Sequence, residues 1–239
     1  NIHSPQTEEA RSEAKVLLDI SNNIMSAKNN VNLIGCIADA ITGGYLLGKR
    51  TFSKADADQL LFSANIINES KSKTIGGIDV YSQTLPKNTD IKVPSEILGK
   101  NTFGLEDGGM VKLIDKQHGR KAAVESIEKA FVISTNYLSR AGYTLALRDL
   151  DVPEKIKEMT KEIIDGADKK TKEIIQDADA GKLDLIPGKS MAESREIRIT
   201  KALNEVRSNI GKIVQGNFPK ESNVNKMITP GGGGSVLNI

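Results

Sequence analysis

The sequence predicts a mainly α-helical chain with a small irregular β section, an α+β fold whose C-terminal half is a long antiparallel helical hairpin. Three observations predict it. Two capping-box signatures, Asp151-Val-Pro-Glu154 and Ser190-Met-Ala-Glu193, each open a long stretch with apolar residues spaced near 3.5. Apolar residues also recur at helical spacing over 53–66 and 110–140. Between those stretches, Gly76-Gly77, Pro86, Asn88 and Pro94 break residues 68–104 into short pieces.

Residues 1–67 form a helical segment. Thr7-Glu-Glu places acids in a first turn, predicting a helix over Thr7–Leu18. A second helix is expected over Cys36–Leu47, with Gly43-Gly44 weakening its end. Ser53-Lys-Ala-Asp56 caps a third that runs to Ile66, with Ala57, Leu60, Leu61 and Ala64 on one face. Residues 68–104 are the β section, with Ile78–Gln83 and Asp90–Val93 as its extended pieces.

Helix returns over 105–150. Met110–His118 and Arg120–Arg140 are separated by Gly119, and the second aligns Ala123, Ile127, Ala130, Phe131, Ser134 and Leu138 before Gly142 ends it. The hairpin occupies 151–216. One arm carries Ile156, Met159, Ile163, Ala167, Ile174 and Ala178; the other carries Ile199, Leu203, Val206, Ile210 and Ile213 in a 4-3-4-3 pattern. Gly181, Pro187 and Gly188 mark the turn within Asp179–Lys189. The tail, 217–239, is polar and then Gly-rich, and is expected to be disordered by itself.

Composition narrows the function classes. The 239 residues include 33 Lys and Arg against 31 Asp and Glu, one Cys, two His and no Trp. A single Cys excludes a disulfide framework, and two His with it cannot build the usual structural zinc sites. A net charge of +2 gives no global attraction to nucleic acid or membrane. The hairpin has 13 basic and 13 acidic residues over 151–216, a polyampholyte and not a basic clamp. No apolar run reaches the ~18 residues of a membrane span, and the N-terminus lacks a signal-peptide plan. A soluble, intracellular, cytoplasmic chain is expected. Asn1 in place of Met and the apolar stub Ser235–Ile239 predict a piece of something longer.

No catalytic machinery is visible. Gly188-Lys189-Ser190 resembles the end of a phosphate-binding loop, but Leu183 stands where that loop needs its first Gly, and no strand precedes it. Ser190 is better read as a helix cap. His3 and His118 have no nucleophile in a strand-turn-helix setting beside them. Cys36 reads as a small buried hydrophobe. Asn68-Glu-Ser70 matches a glycosylation acceptor without a secretion signal. Gly231–Gly234 is either a flexible linker or a close backbone approach.

The opening Asn1-Ile-His-Ser-Pro-Gln-Thr-Glu-Glu-Ala-Arg11 resembles the segment that follows the catalytic metal-binding loop in the largest subunit of multisubunit RNA polymerases, Asn-Leu-His-Val-Pro-Gln-Ser-Glu-Glu-x-Arg. Gly35-Cys-Ile-Ala-Asp39-Ala-Ile-Thr-Gly43 is similar to that family's Gly-Ile-x-Gln-Asp-x-x-x-Gly. Gly109-Met-Val, His118-Gly119, Thr135-Asn136-Tyr137, Gly142-Tyr143-Thr144 and Asp149 follow at its spacing, and Gly231 to Asn238 resembles Gly-Ala-(Arg/Lys)-Gly-Ser-x-x-Asn. The compact spacing is most similar to the archaeal A′ type. The sequence departs from the pattern at Gly232 and Gly233, which replace Ala and a cation, and at Ala146, which replaces a Gly.

The resemblance implies the pore and funnel around the secondary channel, by which nucleotides enter, backtracked RNA leaves and transcript-cleavage factors dock. The 105–150 helices would then be pore helices and 151–216 the funnel hairpin. It implies a parent nucleotidyltransferase using two magnesium ions. Their Asn-Ala-Asp-Phe-Asp-Gly-Asp loop would precede Asn1, and the bridge helix and trigger loop would follow Ile239. No catalytic, cofactor or metal residue is therefore expected in this chain. The implied partners are other polymerase subunits and a cleavage factor, with DNA, RNA and nucleoside triphosphates only in the whole enzyme. Candidate factor contacts are Lys169, Lys170, Lys172, Arg195 and Arg198, against the plainer alternative of a solvated face. The competing reading is a stand-alone helical-hairpin interaction module without enzymatic activity, and an independent enzyme stands third.

Overall fold

The computed structural model describes residues 2–95, 98–217 and 219–234. They divide into two compact units: the described part of 1–144 with 226–234, and that of 145–225.

In the first unit, α1 (Glu8–Val16) is capped by Thr7, whose hydroxyl accepts from the Ala10 N–H at 3.2 Å, and it buries nothing. The centre is the pair α2 (Asp39–Gly48) and α7 (Arg120–Ala141). Gly43 and Gly44 lie in the middle of α2 and are buried, so they do not fray its end as expected. A Cβ on Gly43 would stand 2.2 Å from the Ser134 carbonyl oxygen of α7, and one on Gly44 would stand 3.1 Å from the Ser134 hydroxyl. The two backbones touch, which only glycine permits.

Cys36 lies outside α2. It forms a parallel bridge to Gly104, with its N–H donating to the Phe103 carbonyl at 2.7 Å. Its apolar neighbours made it look helical, yet helix begins only after Ala38, at φ 45°.

The strands β1 (Thr51–Ser53) and β2 (Thr74–Gly76) pair antiparallel with Phe52 opposite Ile75. The first of them falls before the expected β section. Ser53 caps α3 (Lys54–Phe62), accepting from the Asp56 N–H at 3.2 Å. This helix stops short of Ile66 because Asn65 turns left-handed, at φ 56°. Residues 78–83, expected to be extended, belong mostly to α4 (Gly77–Ser82). Val80 and Tyr81 are both buried, as adjacent positions on a helix can be, whereas on a strand with one open face they alternate. Residues 90–93 form no ladder, although Ile91 and Val93 alternate inward.

A short α5 (Lys100–Phe103) leads to α6 (Gly109–His118). Gly119 at φ 82° separates α6 from α7, and Gly142 at φ 71° ends α7, both as the sequence indicates. Phe131, expected on the buried face, is 43% exposed; Ser126, Ile133 and Tyr137 are buried instead. Phe103, Leu47, Leu60, Leu61, Ile114 and Ile133 fill the core. The tail is ordered where described. Beyond α10 (Asn223–Ile228), the Pro230 carbonyl accepts from the Lys100 N–H at 2.7 Å. At Gly232 a Cβ would meet the Thr42 hydroxyl at 2.3 Å. This is the close approach, not the free linker; residues 235–239 lie outside the described residues.

The second unit is the hairpin. Its arms are α8 (Glu154–Asp179) and α9 (Met191–Asn217). Lys170 reaches Glu205 at 3.8 Å and Arg195 reaches Asp179 at 3.9 Å, so the arms run in opposite directions. The box at Ser190 forms: its N–H donates to Glu193 Oε2 at 2.8 Å and its hydroxyl accepts from the Glu193 N–H at 3.3 Å. The box at Asp151 does not. Pro153 starts α8 without a side-chain cap, and Glu154 pairs with Lys157 at 3.1 Å.

Candidate functional site

The expected factor contacts sit on the hairpin, and the fold treats them differently. Lys169 and Lys172 are exposed on α8 and make no ion pair among the described residues. Lys170 and Arg195 are held in the two interhelical pairs given above. Pairs this exposed contribute little to stability. Arg198 is half-buried and donates through Nη2 to the Asp184 carbonyl at 2.8 Å, bracing the connection between the arms. The Ser194 hydroxyl braces it from the same helix, accepting from the Ile186 N–H at 3.1 Å.

The apolar seam of α9 is rotated from the expected one. Ser194, Ala202 and Val214 are buried, while Leu203 is 47% exposed. Leu203, Val206 and Ile210 line instead, with Leu150, Val152 and Ile164, an apolar groove of about 690 Å³. Two arms alone cannot enclose every large side chain that a 4-3-4-3 pattern supplies.

Cys36 is 2% exposed and its thiol is pushed up to about 12 by burial, so it is an inert core residue. Burial also pushes the Tyr81 hydroxyl up. His3 and His118 are both exposed. Among the described residues no three His, Cys, Asp or Glu stand together as metal ligands. Among them too, no helix is long and apolar enough to cross a membrane.

Sequence reasoning missed Asn32, which is fully buried. Its Nδ2 donates to the carbonyls of Gly104 at 2.7 Å and Ile34 at 2.9 Å, and its Oδ1 accepts from the Gly108 N–H at 3.1 Å. It ties the strand-like lead into α2 to the loop before α6. An Asn among loop residues carries no sequence signal of that role.

The described residues thus hold a glycine-tight helix pair, a buried Asn that ties the lead into α2 to the loop before α6, and a long two-helix hairpin. The relatives that match this chain are DNA-directed RNA polymerase subunits. The model of RNA polymerase Rpb1, domain 3, matches residues 23–150, more than half the chain, and the chain belongs to that family. It is similar over its whole length to DNA-directed RNA polymerase subunit Rpo1N of Methanocaldococcus jannaschii, at 29% identity over 21% of that protein. Rpo1N of Methanococcus vannielii is 28% identical over 31% of its length. The DNA-directed RNA polymerase III subunit rpc1 of Dictyostelium discoideum is 23% identical over 20%. The chain thus spans between a fifth and a third of these relatives.

Proposed function

We propose that this chain forms the pore and funnel of a DNA-directed RNA polymerase largest subunit. It would shape the secondary channel for nucleotide entry and backtracked RNA exit and give cleavage factors a docking rim. The observation that carries the reading is order along the chain. A region matching Rpb1 domain 3 ends at residue 150, and a solvent-exposed hairpin with arms of 26 and 27 residues follows directly. In this reading the chain works among other polymerase subunits in the cytoplasm, within an enzyme whose nucleotidyl transfer and magnesium ligands come from elsewhere. Alone it is inactive. Its free cations, Lys169 and Lys172, steer an incoming factor, as exposed charges govern association rate more than affinity.

The test places Lys169→Glu and Lys172→Glu in the intact polymerase that carries this chain. Factor-stimulated cleavage of a backtracked transcript should slow several-fold while factor-free extension is unchanged. Equal cleavage by the charge-reversed and unaltered enzymes overturns the docking role.

A further inference from the structure

A pocket in the first unit belongs to neither the hairpin nor the helix pair's glycine contact. It opens where Arg50 and β1, the Asp56 and Leu60 positions of α3 and the C-terminal end of α7 meet, and its volume is about 310 Å³. That is the lower end of the range for small-molecule sites. Part of its lining is apolar and aromatic: Leu60 is buried, and Phe52 meets Tyr137 edge-on with ring centroids 5.7 Å apart. Arg50 and Arg140 also line it.

Neither arginine pairs with a carboxylate among the described residues. Arg140 donates only to the neutral Gln59 amide oxygen, at 3.3 Å. One acid, Asp56, borders the pocket. Its carboxylate accepts from the Ser53 hydroxyl at 2.6 Å in the first turn of α3, where the helix N-terminus offsets its charge. Two arginines without an ion pair among the described residues thus line a cavity that also has an apolar, aromatic part.

We propose that this pocket binds a phosphate monoester carried on a flat, partly apolar body, a ligand of nucleoside-monophosphate size. Arginine suits phosphate because its planar fork donates two parallel hydrogen bonds. A phosphate monoester carries about −1.5 to −2 charges and can satisfy both guanidinium groups, whereas one carboxylate leaves a cation unmatched. Phe52, Leu60 and Tyr137 supply the surface for the body. The proposal is independent of the hairpin's role.

The test is a nuclear magnetic resonance titration of the full chain at low salt with adenosine monophosphate, orthophosphate, adenosine and glutarate. Adenosine monophosphate should shift the amides of Thr51, Phe52 and Ala141 saturably. Orthophosphate, adenosine and glutarate should each bind at least about tenfold more weakly, since each lacks one of the matched features. Arg50→Ala and Arg140→Ala should each weaken binding about tenfold, the effect of one lost charged hydrogen-bonding group. Both arginines are exposed, so their removal should leave the remaining amide spectrum in place. No saturable shift, shifts that persist when both arginines are replaced, or equal binding of orthophosphate, adenosine or glutarate overturns the proposal.

Discussion

Gly43 and Gly166 are both interior glycines of helices, and they stand in opposite circumstances. A Cβ on Gly43 would strike the α7 backbone, 2.2 Å from a carbonyl oxygen, while one on Gly166 in α8 would meet nothing within 4 Å. The first unit is held by backbones in contact and a buried polar staple. The hairpin is held by caps, a narrow seam and weak surface ion pairs. The same residue type is therefore a structural requirement in one unit and a helix weakness in the other.

The sharpest way to break this contrast is Gly43→Ala. It should destabilise the first unit by about 3 kcal/mol, at the upper end for overpacking, because the obstructing atom is backbone. Hydrogen exchange should speed in α2 and α7 and stay unchanged in α8 and α9. Unchanged protection in α2 would show that the helix pair is not backbone-tight.

Next in size is Asn32→Ala, which leaves the Gly108 N–H and the Gly104 carbonyl without their buried partner. A loss of about 2 kcal/mol is expected, measurable by urea unfolding. In the hairpin, Ser190→Ala should cost about 1 kcal/mol by removing the cap of α9. The Ser190 N–H and hydroxyl hold the Glu193 carboxyl below the usual carboxylate range. The lowered value means this stabilisation is present above that range and is lost as pH falls through it. Protection factors at the α9 N-terminus, with the intrinsic pH dependence of exchange divided out, should therefore fall in acid in the unaltered chain. The smallest effect has the opposite sign: Gly166→Ala should stabilise α8 by roughly 0.5 to 1 kcal/mol, seen as slower exchange along that helix.

Much of the architecture is legible in the residue order. The Ser53 and Ser190 caps, the breaks at Gly119 and Gly142, and the antiparallel hairpin follow from local chemistry, since a cap or a left-handed glycine acts on its own few residues. The family pattern was legible too, because its motifs recur in order along the whole chain. Less of the candidate site was. The expected cations are named by sequence, but their division into free, paired and bracing groups depends on what each meets across the hairpin.

What tertiary structure decided is where distant segments meet. Ile78–Gln83 reads as a short extended piece between Gly76-Gly77 and Pro86, but Gly77 sits against the end of α2, its N–H donating to the Arg50 carbonyl at 2.7 Å, and helix follows. The Gly-rich tail offered a linker or a close approach, and only the position of Thr42 selects the second. Arg50 and Arg140 are 90 positions apart in the sequence. Nothing local to either shows that they border one pocket. Sequence by itself determined the elements whose causes lie within a few residues; long-range packing determined which glycines, polar groups and charges those elements bring together.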